Sequence, residues 1–198
     1  MNSVLDKLAP YATNMIRLDH THVLASFHQY KTTSKPRIKQ GLVNTICLAL
    51  EVHAALEEEI FYPALREVSD NETLRKSVPE HNEMKRLIAQ LRVMEPTEPH
   101  YDQTFMELMR DVLHHVADEE TILLPEAERL LHDELSQIGM RMTKRRLALL
   151  APKGGELALN MARATPTTWY AIFAGVLAGG LWLGMRWSRR QQGYLRLS

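Results

Sequence analysis

The sequence predicts an all-α protein, an antiparallel up-down-up-down four-helix bundle followed by one membrane-spanning helix. From the amino terminus to about residue 140, apolar side chains recur three and four positions apart, which is the spacing of one helix face. No segment alternates polar and apolar residues convincingly over the length of a strand. Short breaks separate the periodic segments, and helices joined by short connections pack as antiparallel neighbours.

Four helices are predicted, at residues 11–31, 38–67, 71–94 and 101–138. The breaks between them contain proline or residues that favour helix ends, at 32–36, 69–71 and 95–99. Together the four helices make up the first predicted domain, residues 1–140.

The composition argues against several classes of function. Lysine and arginine together number 24, as do aspartate and glutamate, so the net charge is zero with neutral histidine. Without a basic excess, no nucleic-acid partner is expected. The sequence shows neither a phosphate-cradling glycine loop nor a nucleophilic triad, which disfavours a hydrolase. Its one cysteine, Cys47, lies in an apolar run and is predicted to be a small buried hydrophobic residue.

The composition changes after residue 140. Residues 141–166 are predicted to be a linker with short helical stretches on either side. Residues 167–187 contain a long uncharged apolar run and reach the length of a spanning helix, about 17–25 residues. Tryptophan and tyrosine flank the run and arginines follow it, as at membrane interfaces. The alternative, a buried core helix, would come after a complete bundle. Residues 188–198 are predicted to be a basic tail.

The predicted location is the inner (cytoplasmic) membrane, with a single span and the bundle facing the cytoplasm. The amino terminus lacks the basic and apolar stretches of a secretory signal, which favours this orientation. Basic residues on both sides of the span leave the orientation open on charge alone. Glycines four positions apart would let a second span approach closely and form a homodimer. These glycines are Gly175, Gly179, Gly180 and Gly184.

An internal repeat carries the predicted chemistry. The segment His53-Ala-Ala-Leu-Glu-Glu-Glu-Ile-Phe-Tyr-Pro63 aligns with a later segment of the chain, His115-Val-Ala-Asp-Glu-Glu-Thr-Ile-Leu-Leu-Pro125. The histidine, the alanine two positions on, two glutamates, the isoleucine and the proline coincide. A second match, at nearly the same offset, pairs Asp19-His20 with Glu80-His81. The chain therefore reads as two helix pairs, each with a lone histidine and a His-x-x-x-Glu motif.

This pattern predicts a metal site inside the bundle. Residues four apart share a helix face and lie about 6 Å apart along its axis, so each His-x-x-x-Glu motif can reach one site. Imidazole and carboxylate donors suit iron, and two carboxylates offset part of the charge of two divalent ions. The predicted ligands are His20, His53, Glu57, His81, His115 and Glu119.

These residues resemble the haemerythrin-like cation-binding (HHE) domain over about residues 10–135. The resemblance implies two non-haem iron ions bridged by Glu57, Glu119 and an oxo or hydroxo group. Oxygen-carrying members have a second histidine four residues further along the third helix, where this chain has Lys85 after His81. Four histidines and two glutamates are more similar to the bacterial iron-centre repair proteins, whose small cysteine-bearing amino-terminal domain this sequence does not contain.

The remaining polar residues near the motifs have weaker signals. Histidines without a repeat partner are predicted to lie on the surface or to support a ligand: His22, His28, His100, His114 and His132. Glu58 and Glu120 are predicted to point outward, with support of a ligand as the alternative. Candidates to orient neighbouring groups are Asp19 and Glu80. Helix kinks or ends are predicted at Pro63 and Pro125.

Three functions stay open on the sequence. The first is a di-iron protein that binds, senses or reacts with O2, NO or peroxide, including a role in iron-centre repair or stress response. The second is a membrane-tethered iron-binding or scaffold protein without catalysis, and the third is a purely structural bundle. The expected cofactor is a pair of iron ions, and manganese is the alternative metal because similar ligands hold both.

Overall fold

The computed structural model of the chain describes residues 11–164. Within this range it contains eight α-helices and no strand, so the all-helical prediction is confirmed for these residues. The helices, numbered in chain order, are α1 Ala12–Phe27, α2 Pro36–Leu56, α3 Tyr62–Arg66, α4 Glu72–Val93, α5 Tyr101–Asp118, α6 Leu124–Leu130, α7 Leu135–Leu150 and α8 Gly154–Ala164. Two five-residue π-helical turns make α2–α3 and α5–α6 continuous: π1 at Glu57–Phe61 and π2 at Glu119–Leu123.

Contacts at the two ends of the bundle define the direction of its helices. At one end, Asp102 at the start of α5 accepts hydrogen bonds from Tyr30, just after α1, and from Lys39 in the first turns of α2. At the other end, Asn71, which caps the start of α4, donates to Glu126 in α6 at 2.7 Å. Consecutive long helices therefore run in opposite directions, with α1 packed on α2 and α4 packed on α5.

The predicted bounds differ from the structure chiefly at the fourth helix. That helix ends at Leu130 and not near residue 138, because the chain turns at residues 131–134 before α7 begins. Within α7, Leu135, Ile138 and Met142 are buried against the bundle. Burial of this apolar stripe accounts for the turn, since a straight helix would carry the stripe into solvent.

Residues 141–164 are helical, in contrast to the linker predicted for residues 141–166. Helix α8 packs along α2, where the buried Asn160 accepts a hydrogen bond from Asn44 at 3.5 Å. Two helices outside the predicted bundle therefore cover its α1–α2 side.

The membrane-related predictions concern a different part of the chain. Among residues 11–164, no helix combines the length and the apolar character that crossing a bilayer requires. The predicted span 167–187, its glycines and the basic tail 188–198 lie outside the described residues.

The core has two apolar clusters with a polar layer between them. One cluster contains Ile16, Leu74 and Leu123, and the other contains Val23 and Met84. On α1, His20 lies between Ile16 of the first cluster and Val23 of the second. On α4, His81 lies between Leu74 of the first cluster and Met84 of the second. The polar layer is thus enclosed at both ends by close-packed side chains.

Candidate metal centre

The six predicted ligands converge in the polar layer from four long helical segments. His20 lies on α1, His53 on α2, His81 on α4 and His115 on α5, and the glutamates Glu57 and Glu119 begin the two π-turns. All six are buried, with at most 6 % of any residue exposed. Their donor atoms form two groups within which every pair of atoms lies within 4.8 Å.

Each glutamate lies between two histidines from different halves of the repeat. Glu57 Oε2 is 3.2 Å from His53 Nε2 and 3.4 Å from His81 Nε2. Glu119 Oε2 is 3.2 Å from His20 Nε2 and 3.5 Å from His115 Nε2. The histidines pair as His20 with His53 and His81 with His115, with ring centroids 4.9 and 4.6 Å apart. Both carboxylates therefore connect one histidine pair to the other.

The prolines of the repeat explain the π-turns that begin at the glutamates. Proline has no N–H and cannot continue the regular i→i−4 bonding of an α-helix. One residue before Pro63, the Tyr62 N–H donates to the carbonyl of Glu57, five positions back. The residue before Pro125 bonds to Glu119 in the same way. The helices continue past both prolines, and each π-turn, a feature frequent at functional sites, begins at a glutamate of the centre.

A carboxylate faces the outer nitrogen of every histidine in the centre. The Nδ1 atoms of three rings lie 2.9 Å from a glutamate oxygen: His20 from Glu120, His81 from Glu58 and His115 from Glu80. The Nδ1 of His53 lies 3.5 Å from Asp19 Oδ2. The four carboxylates come from matching positions of the repeat: Asp19 matches Glu80, and Glu58 matches Glu120. The alternative of ligand support thus fits Glu58 and Glu120 better than an outward position without contacts.

The hydrogen bonding of the layer is incomplete without a cation. A carboxylate can only accept, so each Nδ1 carries a proton, and in a neutral ring Nε2 then has a lone pair that faces inward. His81 Nε2 and His115 Nε2 face each other at 3.0 Å, and two such lone pairs cannot hydrogen-bond to one another. Among the described residues, four inward atoms have no hydrogen-bond partner: His20 Nε2, His53 Nε2, Glu57 Oε1 and Glu119 Oε2. Buried acceptors that converge in this way fit metal ions.

The electrostatics of the layer differ between its histidines. Burial lowers the pKa of His81 to about 2 and also lowers the pKa of His53, which keeps both rings in the neutral form that binds metal. Burial also lowers the pKa of His20, but its contacts with Glu119 and Glu120 outweigh burial and raise it overall. Burial and the adjacent Glu119 carboxylate raise the pKa of Glu57 well above its ordinary value. Burial also raises the pKa of Glu119, but its contacts with the histidines outweigh burial and lower it overall. Without a cation, the Glu119 carboxylate therefore opposes the ionisation of Glu57.

Tyr62 belongs to this layer and was not among the predicted site residues. Its buried hydroxyl donates to Glu119 Oε1 at 2.8 Å and lies 3.3 Å from Glu57 Oε2. The repeat gave no signal for it, because Leu124 occupies the matching position. The sequence feature that could have indicated Tyr62 is its position directly before the repeated proline, on the same helix as a predicted ligand.

Replacing Tyr62 by phenylalanine should destabilise the metal-loaded protein by about 1.5–3 kcal/mol, the range for a hydrogen bond to a charged group. Chemical denaturation measures the free energy of unfolding. Tyr101→Phe is the matched control, because the buried Tyr101 hydroxyl has no partner among residues 11–164 and its removal should be nearly neutral. Equal losses in both variants would contradict a stabilising role for the Tyr62 hydroxyl.

An apolar cavity adjoins the histidine rings. Its volume is about 20 Å³, enough for one molecule of water or diatomic size. Besides the four histidines, its lining includes the apolar residues Val23, Leu50, Ala54, Met84, Ile88, Val112 and Val116 and the charged residues Asp19, Glu51 and Lys85. The apolar side chains leave space for a small molecule beside the rings.

The other histidines stay away from the centre. All five are exposed: His22, His28, His100, His114 and His132. Although His114 and His115 are adjacent in sequence, only His115 faces the polar layer.

Comparison with known proteins assigns the family. The family model of the Hemerythrin HHE cation binding domain matches residues 11–127, more than half of the chain. The chain therefore belongs to the Hemerythrin HHE cation binding domain family. A structure of a Hemerythrin HHE cation binding domain-containing protein from Mycobacterium kansasii has the same fold, with a TM-score of 0.63 at 17 % identity. That alignment covers 78 % of this chain and 99 % of the other.

A longer relative is also similar in sequence. A protein of Nostoc sp. named DNA nickase is 29 % identical over 132 residues, which is 67 % of this chain. The chain spans 38 % of the length of that relative. Most of the relative therefore has no counterpart in the matched region.

Proposed function

We propose that this protein is a non-haem di-iron protein that binds, senses or reacts with O2, NO or peroxide. One ion would be held by His20 and His53 and the other by His81 and His115, with both glutamates shared. The observation that carries the proposal is the position of each glutamate between two histidines of different pairs. Manganese is the alternative metal, since the same donors bind it.

When bound, two iron ions supply redox and Lewis-acid chemistry toward a small molecule. The chain's own residues prepare the place where this chemistry occurs. Two histidines and two carboxylates give each ion four protein donors, fewer than the six common for iron, which leaves positions for an external ligand. The apolar cavity beside the rings supports a diatomic ligand, and the buried layer limits access of bulk water.

Loss of one histidine should impair metal binding, whereas loss of its sequence neighbour should not. We expect His115→Ala to lower the iron content from two per chain to one or less and to abolish near-ultraviolet charge-transfer absorption. His114→Ala is the matched control, because His114 is exposed and should leave both properties unchanged. Metal analysis and optical spectroscopy of the full chain measure the effect. Full iron content in the His115→Ala variant would refute the proposed ligand set.

A second experiment on the same protein tests which small molecule it binds or reacts with. The full chain is purified anaerobically with iron and then exposed separately to air, NO and hydrogen peroxide. The proposal expects the spectrum to change with at least one of the three, and the change to be lost in the His115→Ala variant. A loaded protein that responds to none of them would refute a role with these molecules and favour the alternative of iron binding without catalysis.

Attachment to the inner membrane through residues 167–187 remains a separate proposal, with the bundle facing the cytoplasm. It is supported by the uncharged apolar run and its aromatic and arginine flanks. Cell fractionation of the full chain and of a chain that ends at residue 166 provides the test. Equal recovery of both chains in the soluble fraction would contradict the proposal.

A further inference from the structure

The two halves of the centre differ at one carboxylate contact. Three histidines have a glutamate oxygen 2.9 Å from Nδ1, but the contact between His53 and Asp19 is 3.5 Å. The matching residue of the repeat, Glu80, has one more methylene group and reaches His115 at 2.9 Å. The difference therefore begins with the shorter side chain at position 19.

Asp19 also has a second partner, Arg146. Its Nη2 donates at 2.5 Å to Asp19 Oδ2, the same oxygen that faces His53. Arg146 lies on α7, far from Asp19 in sequence and beyond the region matched by the family model. Oδ2 of Asp19 is therefore shared between Arg146 and His53.

The other half of the centre also has a cation, but with different geometry. Lys85 Nζ contacts both oxygens of Glu58, at 2.6 and 2.7 Å. Glu58 Oε1 accepts from Lys85 and also lies 2.9 Å from His81 Nδ1, because the longer glutamate side chain reaches both groups. Asp19 Oδ2 likewise has two partners, but it lies 2.5 Å from Arg146 Nη2 and 3.5 Å from His53 Nδ1.

We propose that Arg146 is a positioning residue that draws Asp19 away from His53 and makes the His20–His53 half bind its metal ion less tightly than the His81–His115 half. The inference rests on the proposed function. A carboxylate at Nδ1 orients the ring and raises the basicity of the ligand, and loss of such a partner changes metal affinity by about 10–100-fold.

A cleft that opens to solvent near the His20–His53 half supports easier release of the ion from that half. A cleft of about 210 Å³ between α1, α2 and α7 is lined by Asp19, Arg146, His22 and Thr45. Asp19 also lines the cavity beside the histidines and thus lies between cleft and cavity. An ion released from the His20–His53 half would have a short path to water.

Chelator competition on the iron-loaded full chain tests the inference. We expect the wild-type protein to release its two ions at different chelator concentrations. In the Arg146→Met variant, release of the first ion should need about tenfold more chelator. Asp19→Glu should shift release in the same direction, because the longer side chain reaches His53, whereas Arg146→Lys should stay near wild type. Arg145→Met is the matched control, because Arg145 pairs with Glu59 on the surface.

The position of the retained ion gives a second readout. Diffraction at the iron absorption edge from the half-depleted wild-type protein should locate iron between His81 and His115. Retention between His20 and His53 would overturn the inference, as would unchanged or easier release in both the Arg146→Met and Asp19→Glu variants. A wild-type chain that binds no metal would refute the proposed function itself.

Discussion

Replacing Glu57 and Glu119 together by glutamine should leave the protein unable to retain either metal ion. Each carboxylate lies 3.2–3.5 Å from histidines of both pairs, so the double substitution removes the shared anionic donors of both ions at once. Glutamine keeps the size of the side chain but not its charge, and two buried divalent ions without counter-charge are strongly disfavoured. We expect the metal content after desalting to fall from two ions per chain to below about one tenth of that, a loss of at least tenfold for each ion.

The control is a nearby glutamate in the same π-turn, Glu59. Glu59 follows Glu57 by two positions, is exposed and pairs with Arg145 on the surface. Glu59→Gln should therefore keep both ions and the wild-type spectrum. Two ions in the double variant would show that the metal binds elsewhere, and loss of metal from the Glu59 variant would show that general destabilisation causes the effect.

Removal of the metal should lower the thermal stability of the wild-type protein by at least about 5 °C. Binding at 100 times the Kd stabilises a protein by about 2.7 kcal/mol, and in a chain of this length 1 kcal/mol shifts Tm by about 2–4 °C. The metal-free layer also contains four buried acceptors without partners and two opposed carboxylates. Calorimetry before and after chelation measures the shift, and restored iron should reverse it.

The double glutamine variant separates metal linkage from other effects of the chelator. In this variant the chelator should not change Tm, because no metal is bound. Its Tm should equal or exceed that of the metal-free wild-type protein, because the substitutions remove the buried Glu57 carboxylate, whose ionisation burial and Glu119 oppose. A chelator shift of equal size in both proteins would contradict a stabilising role for metal at Glu57 and Glu119.

The polar layer was predictable from the sequence because it is repeated. The nearly equal offsets of the two matches identified the six residues that the structure brings together, and helical periodicity located the four long helices. Tyr62 breaks the repeat, so no pattern marked it. Arg146 reaches Asp19 only through the tertiary packing of α7 on α1, which local periodicity does not encode.

The prediction is less complete for the residues around the ligands and after the bundle. For Glu58 and Glu120 the sequence predicts an outward position, with support of a ligand as the alternative. Both side chains are partly exposed and each also contacts a histidine Nδ1, so the alternative fits them. The apolar stripe of α7 was missed because a cluster of basic residues, 144–146, and the glycines at 154–155 favoured a linker.

The most direct test of the central claim is the position of the metal in the full chain. Anomalous diffraction at the iron edge from iron-loaded crystals should show two peaks in the polar layer. Each peak should lie within bonding distance of two histidine Nε2 atoms, of one oxygen of Glu57 and of one oxygen of Glu119. A single peak, or peaks that contact only one of the two glutamates, would contradict a centre in which both carboxylates are shared.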